Sequence, residues 1–334
     1  MPPEKKKPTR VWPVLRLYMR ATVQYPRTLS AVVIGMLGMQ FVSIVTPLYL
    51  KQLIDILSTN APSPEIMQAL FAILAIYAGL GVINWVSRRV QAYSVLDIEV
   101  KVMSDLTNTA FASLIGHSHD FFLSNFAGTL TRRVTRLMRA YEQVFDNMVQ
   151  TFLPTIIFSI GSVVVLYLRN PWLGIAMLVW VLVFLAFQVI MSIKHHPLRV
   201  VSVAADSRVT GALSDVIGNH SAVSLFAAAP YEKRLFGAVV EAWRLATHNL
   251  WRSGNFVQGM QQALAIIIEI ALLGLGIVLW RRGVVTVGDF ILIQVYIIGL
   301  VDQVWNIGKI TCAVCTTRLL TRQRCSTLWS YRTP

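Results

Sequence analysis

The 334-residue chain is 55% hydrophobic and only 14% charged, with a net charge of +14 and a mean hydropathy of +0.59. A soluble protein of this length carries nearer a quarter charged residues. The apolar residues gather in runs close to the ~20 residues that cross a hydrocarbon layer, so an ordinary soluble domain is excluded and an integral membrane protein is expected.

The first ten residues, MPPEKKKPTR, are basic but do not lead into a short apolar stretch with a small-residue cleavage site, so no removable signal is expected. From Val11 to Arg20, apolar Val11, Val14, Leu15 and Tyr18 recur at helical spacing between arginines. This pattern predicts a helix lying in the headgroup region ahead of the first span. Six apolar runs follow, at about 29–55, 66–87, 147–168, 172–193, 256–280 and 286–308. Their connections are unequal: 56–65, 169–171 and 281–285 are short, whereas 88–146 and 194–255 are long.

Lysine and arginine set the orientation. Residues 1–28 carry seven, the two long connections seven each, and the stretch after 308 carries five. The short connections hold only Arg169, Arg281 and Arg282, with Lys51 near the end of the first run. The positive-inside rule then places both termini and both long connections in the cytoplasm, with the chain in the plasma membrane. The basic balance is therefore read as topology, and no nucleic-acid partner is expected.

Neither long connection is Gly/Ser/Pro-rich, and both carry apolar residues at helical spacing. Helices are predicted over 88–115, 129–147, 198–217 and 231–255, broken at Gly116 to Gly128 and at Gly218 to Pro230. Spans two to five thus extend beyond the membrane as long helices, joined in pairs by short elbows. Phe121, Phe122 and Phe126 in the first elbow, and Leu225 and Phe226 in the second, are apolar groups at the tip of such an arm. They are a candidate contact surface, or they pack the two arms together.

The first elbow reads HDFFLSNFAGTLTRRV, the second ALSDVIGNHSAVSLFAAAPYEKRLF, and the last span opens with GVVTVGDFILIQVY. In this order, on six spans at this spacing, they resemble the transmembrane domain of a type I ATP-binding cassette (ABC) exporter over about residues 10–310. The resemblance implies an all-α membrane fold of six transmembrane helices with long cytoplasmic helical extensions. It implies three segments: a basic N-terminus with its elbow helix (1–28), the six-span domain (29–310) and an atypical tail (311–334). It also implies a permease that pairs with a second such domain, identical or not, and opens alternately to each side within membrane lipid. Coupling to ABC ATPase domains would run through His119, Asp120, Phe121, Phe122 and Asn125 in the first elbow. In the second it would run through Ile217, Asn219, His220, Ser221 and Val223.

No G-x-x-x-x-G-K-[ST] phosphate loop occurs in the sequence, so no ATPase site is expected in these residues. The resemblance places ATP with magnesium in a nucleotide-binding domain outside them. The tail holds all three cysteines and no acidic residue, and two origins stay open: a truncated or out-of-frame end, or an ATPase encoded separately. Cys312, Cys315 and Cys325 lack a fourth zinc ligand, so no metal site is expected.

A six-span channel or secondary transporter not driven by ATP is the alternative. Arg133, Arg136 and Arg139 imitate a voltage sensor, yet they lie in a polar connection, and residues 281–285 are too few for a pore loop. Every histidine lies in the long connections, which argues against an intramembrane protease. Gln258, Gln262 and Glu269 recur at spacings of four and seven on one face of the fifth span, and Gln294 lies deep in the sixth. Polar groups in apolar spans face a cavity or bond across helices. These four are the candidate substrate pathway, or they are interhelical bonds.

Overall fold

The computed structural model describes residues 11–124 and 127–303. All its regular elements are helical: α1 (Val11–Val23), α2 (Pro26–Thr59), α3 (Pro64–Ile115), α4 (His119–Ser124), α5 (Ala127–Asp146), a π segment (Asn147–Phe152), α6 (Leu153–Arg169), α7 (Pro171–Gly218), α8 (His220–Leu225) and α9 (Ala229–Arg281). A further helix, α10, covers 287–303. Among the described residues, 5 helical stretches are long and apolar enough to cross a membrane, and α10 is the described part of the sixth.

The lengths show how far the helices exceed a span. At 1.5 Å per residue, the 52 residues of α3 reach about 80 Å, against ~30 Å of hydrocarbon. The predicted breaks fall where glycine and proline punctuate the sequence: α3 ends at Ile115 before Gly116, α7 ends at Gly218, and α9 begins at Ala229. Ser63 caps α3 by accepting from the Ile66 amide at 3.3 Å, with Pro64 in the first turn.

Contacts divide the chain into two units, residues up to 181 with those from 268 on, and residues 182–267. In the first unit α2 and α3 lie antiparallel. A Cβ on Gly35 would meet the Gln91 backbone at 2.8 Å, and one on Gly38 would meet the Ser87 side chain at 2.5 Å. Small residues at these positions let two apolar helices approach without a hydrophobic drive between them. The amphipathic α1 does not stand apart from the extensions. Tyr18 and Ala21 enter a buried cluster with Val32, Val95, Ile98, Val102, Leu106, Tyr141, Phe145 and Val149. The Tyr18 hydroxyl donates to the Leu137 carbonyl at 3.1 Å, and Thr22 Oγ1 lies 3.1 Å from the Tyr141 hydroxyl.

A proline in the third span follows directly on the π segment. Pro154 cannot donate to the carbonyl one turn back, and the wider π winding just before it accommodates that loss. Pro47 is carried inside a continuous α2. Pro197 likewise lies inside α7, so the fourth span and its extension form one helix through a residue at which a break could have been read.

The second unit is a hairpin of α7 and α9 with a seven-residue repeat. Gln188 faces Gln261, His195 faces Gly254 and Ser202 faces Thr247. The bonded pairs are 2.6 Å and 3.5 Å apart, and a Cβ on Gly254 would lie 3.6 Å from His195 Nε2. A repeat of seven is the signature of helices that coil about one another, and here it sets a polar layer in every heptad.

Candidate functional site

Three places gather the polar and exposed groups that a membrane pathway and its drive would need. The first is the elbow around α4, where His117, just ahead of the helix, forms an aromatic ladder with Phe121 and Phe122. The His117 and Phe121 ring centroids are 4.3 Å apart, and those of Phe121 and Phe122 are 5.7 Å apart, edge to face. Of the residues assigned to coupling, His119, Asp120, Phe121 and Phe122 fall on α4. Asn125, and Phe126 beside it, lie outside the described residues, as does the whole tail 311–334.

The second elbow is α8, entered from Ile217 at the end of α7 through Asn219 and carrying His220, Ser221 and Val223. It closes on a left-handed turn at Ala227, φ 50°, with the Ala228 amide donating to the Val223 carbonyl at 2.9 Å. Leu225 and Phe226 are turned outward, 81% and 77% exposed. Apolar groups this exposed at the tip of an arm form an uncovered apolar patch.

The third place is inside the spans. Glu269 on α9 and Gln294 on α10 meet, the Gln294 amide donating to the carboxylate at 2.6 Å. Both remain partly exposed. Gln258 and Gln262 are exposed on the α7–α9 hairpin, so the structure brings together Glu269 and Gln294 and does not bond the other two to them. Gln261, between the expected residues, is instead buried against Gln188. Helical spacing placed Gln258 and Gln262 on one face, but it could not show that Gln261, only part of a turn round from them, was the one turned to the seam.

The opening of α10 holds a charged cluster that sequence reasoning recognised only as a motif. The Asp289 carboxylate reaches back over the helix start: it accepts from the Thr286 amide at 2.9 Å and from its hydroxyl at 3.0 Å. Lys51 on α2 lies 2.5 Å from Asp55 and 3.3 Å from Asp289, and Arg169 on α6 lies 3.2 Å from Asp289. The Gly288 amide donates to Asp55 at 2.8 Å. A Cβ on Gly288 would meet the Lys51 carbonyl at 2.5 Å, which is the physical reason for a glycine between Thr286 and Asp289.

One more carboxylate is perturbed, in the extension of α3 beyond its apolar run. Burial, with Asp146 and Glu142 beside it, pushes Glu99 up to about 7, and its Oε1 is buried without a hydrogen-bond partner. No group of His, Cys, Asp and Glu able to hold a metal ion occurs among the described residues.

With this geometry in view, a family model for the ABC transporter transmembrane region matches residues 29–304. The chain belongs to that family. As an ABC transporter transmembrane region it is a multi-pass membrane protein, and its fold has a solved counterpart. It superposes on a bacterial Atm1-family ABC exporter with ATP bound at a TM-score of 0.74 and 16% identity, over 89% of this chain and 53% of that one. It is also similar to an uncharacterized ABC transporter ATP-binding protein of Haemophilus influenzae, 23% identical over 175 residues, 52% of this chain and 28% of the relative. A second relative is the mitochondrial potassium channel ATP-binding subunit of Mus musculus, 23% identical over 240 residues, 70% of this chain and 33% of the relative. The transmembrane region thus spans about a third or less of these curated relatives.

Proposed function

We propose that this ABC transporter transmembrane region is the permease part of an ATP-driven exporter, working as a dimer, identical or mixed, in the plasma membrane. Both termini and both elbows are cytoplasmic in this reading, which the concentration of basic residues in those segments supports. Residues 29–310 form the permease domain, and the N-terminal 28 residues include the elbow helix that leads into it.

The observation that carries the reading is the outward-turned apolar tip at Leu225 and Phe226, on a short helix between two long ones, in a chain of this family. A six-span channel or carrier not driven by ATP has no use for such a surface at the end of its arms. The elbows, with His119, Asp120, Phe121, Phe122 and Asn125 in one and Ile217, Asn219, His220, Ser221 and Val223 in the other, seat on ABC ATPase domains. Those domains bind ATP with magnesium, and their closure is passed along the arms to the spans.

Gln258, Gln262, Glu269 and Gln294 serve the substrate. A carboxylate with an amide at 2.6 Å suits a cationic or hydrogen-bonding cargo, since a charge held within a span is costly unless something pairs with it. The test is ATPase activity of the chain in lipid, alone and with a cassette ATPase co-expressed from neighbouring genes. Activity that appears only with the cassette, and transport of a cation altered by Glu269→Gln, are expected. A chain that neither copurifies with nor stimulates any cassette ATPase would overturn the reading.

A further inference from the structure

The charged cluster at the start of α10 divides along one seam. On one side stands α2, carrying Lys51 and Asp55 as an (i, i+4) pair 2.5 Å apart. On the other stand α6 and α10, tied by Arg169 to Asp289 at 3.2 Å. Each side is neutral in itself. Four contacts cross between them: Lys51 to Asp289 at 3.3 Å, Lys51 to Thr286 at 3.0 Å, Asp55 to Thr286 at 3.0 Å, and Asp55 to the Gly288 amide at 2.8 Å.

That division decides how the cluster behaves under load. A buried ion pair broken by loss of one partner leaves a stranded charge, which is strongly unfavourable. Here, parting α2 from α6 and α10 strands nothing, because Lys51 keeps Asp55 and Asp289 keeps Arg169. Water is also at hand: Lys51 and Asp289 are buried, at 8% and 5% side-chain exposure, but Asp55 is 23% and Arg169 43% exposed. The cluster is therefore firm while closed and inexpensive to open along one line. A static clasp has no need of this property.

Its place fits the same role. Lys51 and Asp55 sit near the α2–α3 turn, at the end of α3 remote from the α4 elbow. We propose that Lys51, Asp55, Arg169 and Asp289, with Thr286 and Gly288, form a latch that holds the pathway shut at this end and splits between α2 and the α6–α10 pair when it opens. The role as a gate rests on the exporter reading above; the latch itself does not.

The test exchanges charge within each half. Lys51→Asp with Asp55→Lys keeps an (i, i+4) pair on α2 but sets like charge against Asp289 and a cation against the Gly288 amide. Hydrogen exchange of the full chain in lipid nanodiscs is expected to quicken at least tenfold over 44–59 and 284–296, while the cluster around 95–106 and 141–149 keeps its protection. Adding Arg169→Asp with Asp289→Arg restores attraction across the seam and should recover most of the protection. Unchanged exchange in the double variant, loss that spreads to 95–106, or failure of the four-fold variant to recover would each overturn the latch. No cassette partner enters this measurement, so a chain that shows the latch yet never couples to an ATPase refutes the exporter reading alone.

Discussion

The Gln261 amide donates to the Gln188 side-chain oxygen at 2.6 Å, with both residues 6% exposed in the seam of the α7–α9 hairpin. The bond gives the Gln188 oxygen a donor inside the seam, and the pairing also fixes which residues of α9 face outward. A polar layer in a coiled seam sets register, because shifting either helix separates the partners.

Breaking that pair on one side should cost more than removing it. Gln261→Leu leaves the Gln188 side-chain oxygen without its donor and is expected to destabilise the chain by about 1 kcal/mol, the scale of interhelical bonds in membranes. Gln188→Leu combined with Gln261→Leu should recover most of the loss. Thermal unfolding of the three variants in one lipid composition measures this, and a double variant no better than the single one would contradict it.

Stability should fall as pH rises through neutrality because of Glu99. Its folded value of about 7 lies above the ordinary carboxyl value of 4.5, so between these values the folded chain holds a proton that the unfolded chain has released. The folded state is then penalised increasingly as pH climbs from about 4.5, and fully so above about 7. Glu99→Gln removes the titration and should flatten this dependence, with the largest gain at pH 8. An unfolding temperature for Glu99→Gln that follows the parent at every pH would refute the assignment.

Much of the architecture was legible because its signals are local. The apolar runs have the length of a membrane, and Gly116, Gly218 and Pro230 mark the elbows within a residue or two of where α3, α7 and α9 end or begin. The helical face of α1 was visible too, although not its docking on Tyr141 and Leu137. What escaped was pairing between distant residues. Lys51 counted as one basic residue near a span end, and nothing near it in sequence announced Thr286 or Asp289. Gln261 was indistinguishable from its neighbours Gln258 and Gln262 until α7 supplied Gln188. The π segment escaped for another reason: Pro154 signals a disturbed helix but not how the turn before it winds.

The turn closing α8 carries removable strain. Ala227 adopts φ 50°, a left-handed conformation that costs a residue with a Cβ roughly 1–2 kcal/mol and glycine nothing. Ala227→Gly should stabilise this turn by about 0.5 kcal/mol after the greater freedom of glycine in the unfolded chain is counted. Slower cleavage by a nonspecific protease around 224–230 is the expected readout, and faster cleavage would show that the alanine is not strained.

The apolar tip of α8 separates a role in folding from a role in coupling. Leu225 and Phe226 are 81% and 77% exposed, so they bury little surface within the chain. Surface substitutions of this kind change stability by no more than about 0.5 kcal/mol. Leu225→Ala with Phe226→Ala should therefore leave the unfolding temperature of the isolated chain nearly unchanged. If the tip seats in an ATPase domain, the same variant loses the apolar area that would be buried there, at about 25 cal/mol per Å². Cassette binding should then weaken at least tenfold, and stimulation of ATP hydrolysis should fall with it. A variant that couples normally would move the contact surface elsewhere. One that fails to fold would show that the tip is covered within the chain's own assembly instead.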